Sequence, residues 1–342
     1  MAAGPAATTE PVGCTSGIIT LHGMKQKHLV SLRDYTRQEL EEVFELARRL
    51  KADPRAYASA LRGKSLGMIF QKPSTRTRVS FEVGMFQLGG HALHLGANEI
   101  QIGRGETLAD TAKVLSRYVD GIMARVYSHE DLVEMSRHAT VPVINGLSDL
   151  LHPVQALADF FTMFERRGRL DGVTLAYVGD GNNMCQGLMS GAVKLGVGMR
   201  VAAPSGYEPN QLIVKSAVRE AQKFKTAPPV VTADPMEAVQ GADVVYTDVW
   251  TSMGQEEEAE TRRQAFQGYM VSPEMMAAAA PDAVFMHCLP AHRGEEVAAE
   301  VIDGPQSIVF DQVENRLHVQ KAILILLLGG SVAPERPSTL RA

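Results

Sequence analysis

The chain has 342 residues, 45% of them hydrophobic and 21% charged, an ordinary globular composition at a length that favours two domains over one compact core. A formal net charge of -5 gives no general attraction to nucleic acid or to an anionic membrane surface, so an anionic ligand needs a local cluster of positive groups. The three cysteines, Cys14, Cys185 and Cys288, form no CxxC pair, which points to a reduced, cytoplasmic setting.

Residues 1–24 read as a flexible extension without the pattern of a signal or transit peptide. The run YTRQELEEVFELARRL predicts a helix, with Thr36 and Glu39 as a capping box and Leu40, Val43, Phe44, Ala47 and Leu50 at helical spacing. SLGMIF reads as a buried strand, and STRTR opens the helix that follows. HALHLG predicts a second strand, ETLADTAKVLSRYV a helix, and GIMARVY and VPVINGL two more strands. HPVQALADFFTMFERRG predicts a longer helix with Val154, Leu157, Ala158 and Phe161 on one face.

The second half repeats the style. VTLAYVGDGNN is a strand ending in a tight turn, followed by a helix from about Met184 to Leu195. MRVAAP, PVVTAD, ADVVYTDVW and AVFMHCLP supply further strands. ENRLHVQKAILILLLGG predicts a last helix with Arg316 just before it, and its longest apolar run, Ala322 to Leu328, is too short to span a bilayer. Residues 331–342 read as a flexible tail.

Strands alternating with helices predict an α/β protein with two doubly wound parallel-sheet domains, joined by helices near 152–167. The expected division is 25–165 and 166–314, with a C-terminal helix at 315–330 packing back on the first domain. In open α/β sheets, ligands bind beyond the carboxyl ends of the strands. Ser74 to Arg76, Arg125, His152, Asn183, Asp248 and Cys288 each follow a strand run, so one shared cleft is expected.

The stretch FQKPSTRTRVSFE carries the clearest chemistry. Pro73 ends the strand and Ser74 stands where an N-cap belongs, so free N–H groups and the positive end of the helix dipole meet there. The hydroxyls of Ser74, Thr75 and Thr77 add donors, and Arg76 adds a planar fork suited to phosphate. Residues two apart on a helix do not face the same way, so Arg78 is expected to pair internally with a carboxylate such as Glu82. The plainer alternative is a capped helix with two solvated arginines.

STRTR, ARVY (124–127), HPVQ (152–155), GDGNN (179–183), DVWTSMG (248–254), HCLP (287–290) and ENR (314–316) occur in an order that resembles the ornithine carbamoyltransferases. The resemblance runs from about residue 25 to 330. It implies that Ser74, Thr75, Arg76 and Thr77 hold the phosphate of carbamoyl phosphate. Arg125 would bridge phosphate and carbonyl, His152 and Arg316 would meet the carbonyl oxygen, and Gln155 the carbamoyl amide. Such donors, aimed where charge grows in the transition state, form an oxyanion hole. Gln101 would reach the phosphate of a neighbouring subunit, implying a homotrimer with shared sites.

For the amine half, the resemblance puts Asn183, Ser252 and Met253 on the amino-acid end of L-ornithine, Asn183 meeting its carboxylate. Asp248 would take the α-ammonium, and Cys288 with the Leu289 carbonyl the reacting amine. It implies carbamoyl transfer giving L-citrulline, with no metal or organic cofactor. The first domain would then bind carbamoyl phosphate and the second ornithine.

The residues leave alternatives. Cys288 could be a covalent nucleophile or pair with His287 on a metal, but adjacent strand residues point to opposite faces. The acidic run after SMG, Glu256 to Glu258, suits a cationic substrate. An ornithine derivative or putrescine is the nearest alternative acceptor. A nicotinamide-dependent oxidoreductase is prompted by YVGDGNNM, where Met184 replaces the third glycine and Ala203 and Pro204 stand where an acidic residue is needed. A non-catalytic phosphometabolite sensor could keep STRTR but would not need Cys288 or SMG.

Overall fold

The computed structural model describes residues 24–97, 99–252 and 254–331. The expected extension before residue 24, the expected tail after 331, and Met253 lie outside the described residues. The first half runs α1 (Arg37–Ala52), β1 (Ser65–Phe70), α2 (Thr75–Gln87), β2 (His91–Gly96), α3 (Leu108–Leu115), β3 (Gly121–Arg125), α4 (His129–His138), β4 (Val143–Leu147) and α5 (Pro153–Arg167). The second half begins with β5 (Thr174–Val178), α6 (Asn183–Leu195), β6 (Gly198–Ala202), α7 (Gln211–Phe224), β7 (Val230–Thr232) and α8 (Pro235–Val239). It continues through β8 (Val244–Thr247), α9 (Ala259–Ala265), α10 (Pro273–Ala278), β9 (Val284–His287), α11 (Ala299–Ile302) and α12 (Val309–Leu328).

Two parallel sheets result, in the orders β2-β1-β3-β4 and β7-β6-β5-β8-β9. The α/β architecture agrees with the sequence reading. β1 and β3 read as unbroken apolar runs because central parallel strands are covered on both faces. β2, at the sheet edge, instead alternates exposed and half-buried positions at its start. Strand order reverses between β1 and β3 in one sheet and between β5 and β8 in the other. Those crevices are where such sheets bind ligands.

The capping box of α1 is formed, and Leu40, Val43, Phe44, Ala47 and Leu50 are all buried. α5 departs from its expected single apolar face, because every residue from Pro153 to Met163 is buried. It packs against both α12 and α6, and the Phe44 ring of α1 lies 6.1 Å from Phe161 and 6.2 Å from Phe164. Helix-period reasoning assumes one solvated side. α5 has none over most of its length, so Gln155, Asp159 and Thr162 enter the interior with it.

α12 begins at Val309, more than a turn before the ENR motif, so Arg316 lies inside the helix rather than ahead of it. Its N-cap, Ile308, makes no side-chain cap bond, which is why no start signal stood in the sequence. The helix packs on α1, α2 and α5, as a C-terminal return to the first sheet requires. Lys51 of α1 donates to Glu165 at 2.9 Å and to Asn315 at 2.8 Å, and Asn315 donates to Glu165 at 2.7 Å, tying three helices together. No helix among the described residues is long and apolar enough to cross a membrane.

Leu324 of α12 has no exposed surface. Leu324→Ala is expected to lower unfolding free energy by about 2–5 kcal/mol through lost transfer energy and a residual cavity, read as a lower urea midpoint.

Candidate functional site

At the start of α2, Ser74 has extended backbone and its hydroxyl accepts the Thr77 N–H at 3.3 Å, an N-cap as the sequence predicted. Arg78 turns to Glu82 at 3.0 Å, one helical turn on. Arg76 faces the other way, into a cavity of about 630 Å³ between the carboxyl ends of the two sheets.

Most of the candidate residues meet in that cavity. Ser74, Thr75, Arg76 and Thr77 come from α2, Arg125 from the end of β3, and His152 and Gln155 from the start of α5. Asn183 opens α6, Asp248 and Ser252 follow β8, Cys288 and Leu289 follow β9, and Arg316 reaches in from α12. Gln101 does not join them: it opens a 3-10 turn, Gln101–Arg104, after the edge strand β2 and does not line the cavity of its own chain.

The electrostatics of the first half are unusual. Arg76, Arg125 and Arg316 converge there, and none forms an ion pair among the described residues. Burial, reinforced by Arg316 and Arg76, pulls the Arg125 guanidinium down to about 10. Burial likewise lowers Arg316 to about 10, with Arg76 adding to the effect. Arg316 donates to the Thr77 hydroxyl oxygen at 2.9 Å, which leaves that hydroxyl able to give its own proton elsewhere.

His152 occupies the N-cap position of α5 but makes no capping bond, and its Nδ1 is buried without a partner. Burial first, then Arg316, Arg125 and Arg76, hold its pKa well below the ordinary value, so the ring stays neutral with one N–H to donate. Gln155 gives its amide N–H to Asp159 at 2.7 Å, while its Oε1 is buried and unpartnered. Arg125 Nε and Arg316 Nε also lack partners. The wall therefore offers cations, a neutral N–H donor and one carbonyl acceptor, a set matching a dianion joined to a small amide.

The opposite wall is built for a different group. Asp248 Oδ1 accepts the Cys288 thiol at 3.0 Å and the Val249 N–H at 2.9 Å, while Oδ2 accepts Asn182 Nδ2 at 2.8 Å. Burial and the Asp248 charge push the Cys288 thiol well up, so it stays protonated and is no thiolate nucleophile. Asn183 is anchored by donating to the Ser148 carbonyl at 2.6 Å.

His287 and Cys288 are not separated as strand alternation predicted, for ligand atoms of Asp248, His287 and Cys288 lie within 4.8 Å of one another. The strand ends at His287, and Leu289 takes a left-handed φ of 59° that bends the chain. His287 is nonetheless engaged on both sides. Its Nδ1 accepts the Leu289 N–H at 2.8 Å, and its Nε2 lies 3.2 Å from Glu296.

The acidic run also differs from expectation. Glu258 is held by Arg262 at 3.1 Å, and neither it nor Glu257 lines the cavity. Arg262 is itself buried, pairing with Asp180 at 3.0 Å and donating to the Trp250 carbonyl at 2.9 Å, so it anchors the loop that carries Ser252. In the GDGNN turn, a Cβ on Gly181 would lie 2.2 Å from the Pro209 nitrogen. This glycine admits a neighbouring loop rather than a pyrophosphate.

Sequence reasoning missed Lys72, Arg263, His292 and Glu295, which all line the cavity. Lys72 stood in the quoted stretch beside Pro73. Its ammonium lies 4.6 Å from the Tyr127 ring centre, and burial followed by Arg125 lowers its pKa. The other three sit in charged segments whose composition does not distinguish them from solvated surface.

Comparison with known proteins adds an independent line. The model for the carbamoyl-P binding domain of aspartate/ornithine carbamoyltransferase matches residues 27–165, and that for the Asp/Orn binding domain matches 171–327. The chain is 58% identical to the ornithine carbamoyltransferase of Symbiobacterium thermophilum over 309 residues, 89% of this chain and 99% of that one. It is 54% identical to the anabolic ornithine carbamoyltransferase of Pyrococcus furiosus over 315 residues, 92% of this chain and 99% of that one. Among solved structures, the ornithine carbamoyltransferase from Pyrococcus furiosus aligns with a TM-score of 0.86 at 53% identity, covering 91% of this chain and 100% of that one. The Thermus thermophilus structure gives 0.81 at 45% identity, covering 89% and 100%.

The lowered guanidinium values set a pH window. Inorganic phosphate should bind with constant affinity from about pH 8 to 9, where both Arg125 and Arg316 are charged, and weaken as pH rises through about 10. Calorimetric titration across that range tests this, and constant affinity to pH 11 would contradict it.

Proposed function

We infer that this chain, which belongs to the aspartate/ornithine carbamoyltransferase family, transfers the carbamoyl group of carbamoyl phosphate to the side-chain amine of L-ornithine, giving L-citrulline and phosphate. Biosynthetic and catabolic enzymes share this chemistry, and the relative from Pyrococcus furiosus, named anabolic, supports the biosynthetic direction. The observation that carries the reading is the meeting, across one cleft, of the Asp248–Cys288 pair and three arginines without an ion-pair partner among the described residues.

In this reading residues 25–165 and the C-terminal helix bind carbamoyl phosphate, and 166–314 bind ornithine. Ser74, Thr75, Arg76 and Thr77 hold the phosphate, and Arg125 bridges it to the carbonyl. His152, kept neutral by its surroundings, donates to the carbonyl oxygen with Arg316, and Gln155 accepts from the carbamoyl NH₂. Asn183, Ser252 and Met253 bind the amino-acid end, Asn183 through the carboxylate, while Asp248 takes the α-ammonium.

The attacking amine has to be neutral. With a solution value near that of lysine, about 10.4, deprotonation at pH 7 costs about 4.6 kcal/mol. Cys288 stays a thiol and donates its S–H in a hydrogen bond to Asp248, so sulfur lone pairs and the Leu289 carbonyl remain to accept from the amine. The nitrogen attacks the carbonyl carbon and the oxyanion rests on the arginines and His152; the carbonyl then re-forms as the C–O bond to phosphate breaks, and the nitrogen's proton passes to the departing phosphate. Each donor aimed at that oxyanion contributes about 3 kcal/mol to lowering the barrier.

The active unit is a homotrimer with shared sites, working in the cytoplasm where the Cys185 and Cys288 thiols stay reduced. Support comes from Gln101, which lies off its own cavity beyond an edge strand, and from exposed apolar groups on that strand and on α2, which packs beside it. Phe86 and Val79 on α2 are 81% and 50% exposed, and Leu93 on β2 is 40% exposed. Such side chains beside an edge strand fit a subunit contact.

Initial rates with ornithine, N-acetylornithine, putrescine, lysine and aspartate test the reaction. Ornithine should lead by at least about tenfold, and Asp248→Asn should raise its KM far more than that of carbamoyl phosphate. Another leading acceptor, or no carbamoylated product, would refute the assignment. For the shared site, Arg76→Ala and Gln101→Ala proteins are each expected to be impaired. Random hybrids should recover about a quarter of wild-type sites, because one interface then carries both native residues. No recovery in trimers shown by mass to be mixed would leave each site within one chain.

A further inference from the structure

Gln155 can present either end of its amide to a ligand, because the two ends differ only by a half-turn of the side chain. Its surroundings remove that freedom. Nε2 donates to Asp159 Oδ1 at 2.7 Å, one turn along α5, and Oε1 is left buried and unpartnered at the cavity wall.

Asp159 has no exposed surface and no ion-pair partner among the described residues. Three donors hold it: Gln155, Gln312 Nε2 at 2.7 Å on Oδ1, and the Tyr246 hydroxyl at 3.0 Å on Oδ2. Gln312 also accepts the His287 N–H at 3.0 Å through its other amide atom. The network joins α5, α12, β8 and β9, and both of its amides are oriented by it. Burial raises the Asp159 carboxyl to about 6, which leaves it ionised at neutral pH and therefore an acceptor only.

We propose that Asp159 is the positioning residue that fixes the Gln155 amide with its oxygen toward the ligand, so that the site selects a group bearing N–H beside a carbonyl over one bearing a methyl. A carboxylate can hold only the NH₂ end of Gln155. An amide at position 159 could hold either end. The carbamoyl NH₂ and the methyl of an acyl group are similar in size, so discrimination between them depends on one correctly directed acceptor. A site built to bond an N–H rejects the analogue lacking it more strongly than an apolar pocket separates isosteres.

The inference rests on the carbamoyl-transfer reading of the cavity, and two phosphonates separate the ideas. Phosphonoacetamide carries the NH₂, and 2-oxopropylphosphonate has a methyl in its place. Wild-type protein should prefer the amide by about 10- to 100-fold, the range expected when a buried acceptor loses its donor. Asp159→Asn should reduce that preference to about threefold or less and raise the carbamoyl phosphate KM, while inorganic phosphate affinity stays within about twofold.

A general packing defect would weaken all three ligands together. If Asp159→Asn does not fold, as judged by its thermal transition and phosphate binding, the wild-type preference measured at pH 5 carries the test. Below about 6 the protonated Asp159 carboxyl can hold either end of the Gln155 amide, and the preference should fall at least threefold relative to pH 8. A wild-type protein without amide preference would overturn the Gln155 assignment itself. A wild-type protein with it, and a folded variant that keeps it, would overturn the Asp159 proposal alone.

Discussion

The structure depends on holding like charges together. Arg76, Arg125 and Arg316 reach one cavity from α2, β3 and α12, without a carboxylate paired to any of them among the described residues. Two unit charges a few ångströms apart at an effective dielectric near 20 repel by roughly 3 kcal/mol. The lowered values of Arg125 and Arg316 express that strain along with their desolvation. A flexible surface would relax by turning the side chains outward. Here each arginine emerges from a packed element, so the repulsion persists; a dianion bound there would convert it into attraction and stabilise the fold by mass action.

The same field explains why the remaining polar groups are neutral. His152, beside the arginines and out of water, is driven to the uncharged imidazole, a donor that does not add a further cation. Cys288, beside Asp248, is driven to the thiol. One half of the cleft thus favours negative charge, and the other disfavours a second negative centre. The division follows the two sheets. Each places its ligand-facing residues at the point where strand order reverses, so one rule of α/β geometry acts twice and the products face each other.

Much of the site was legible because its signals are local. An N-cap serine, a capping box and an i,i+4 Arg78–Glu82 pair are set by a few neighbouring residues, and all three are formed. What was not legible depends on tertiary context. α5 is buried on every side, so its polar residues carry no amphipathic signature. Asp159, Tyr246 and Gln312 are far apart in sequence, and only the packed core shows that they bond to one another. α12 begins without a side-chain cap, which concealed its first turn. Glu258 reads as free acidity until Arg262 is seen to hold it. Gln101 had no spatial meaning before the edge position of β2 was known.

α12 brings these threads together. The helix buries Val319, Ala322, Ile323, Leu324 and Ile325 in the core that also contains α1 and α5. Its Gln312 bonds Asp159, its Asn315 bonds Thr162 and Glu165, and its Arg316 reaches Thr77 at the head of α2. The apolar side fixes the axial position of the helix, and that position sets where the guanidinium and the network amide lie. A shift of a single residue along a helix rotates its side chains by about 100° and moves them about 1.5 Å, enough to carry Arg316 away from Thr77 and Gln312 away from Asp159. Packing in the core and geometry in the cleft are thus one constraint, imposed by one helix at the end of the chain.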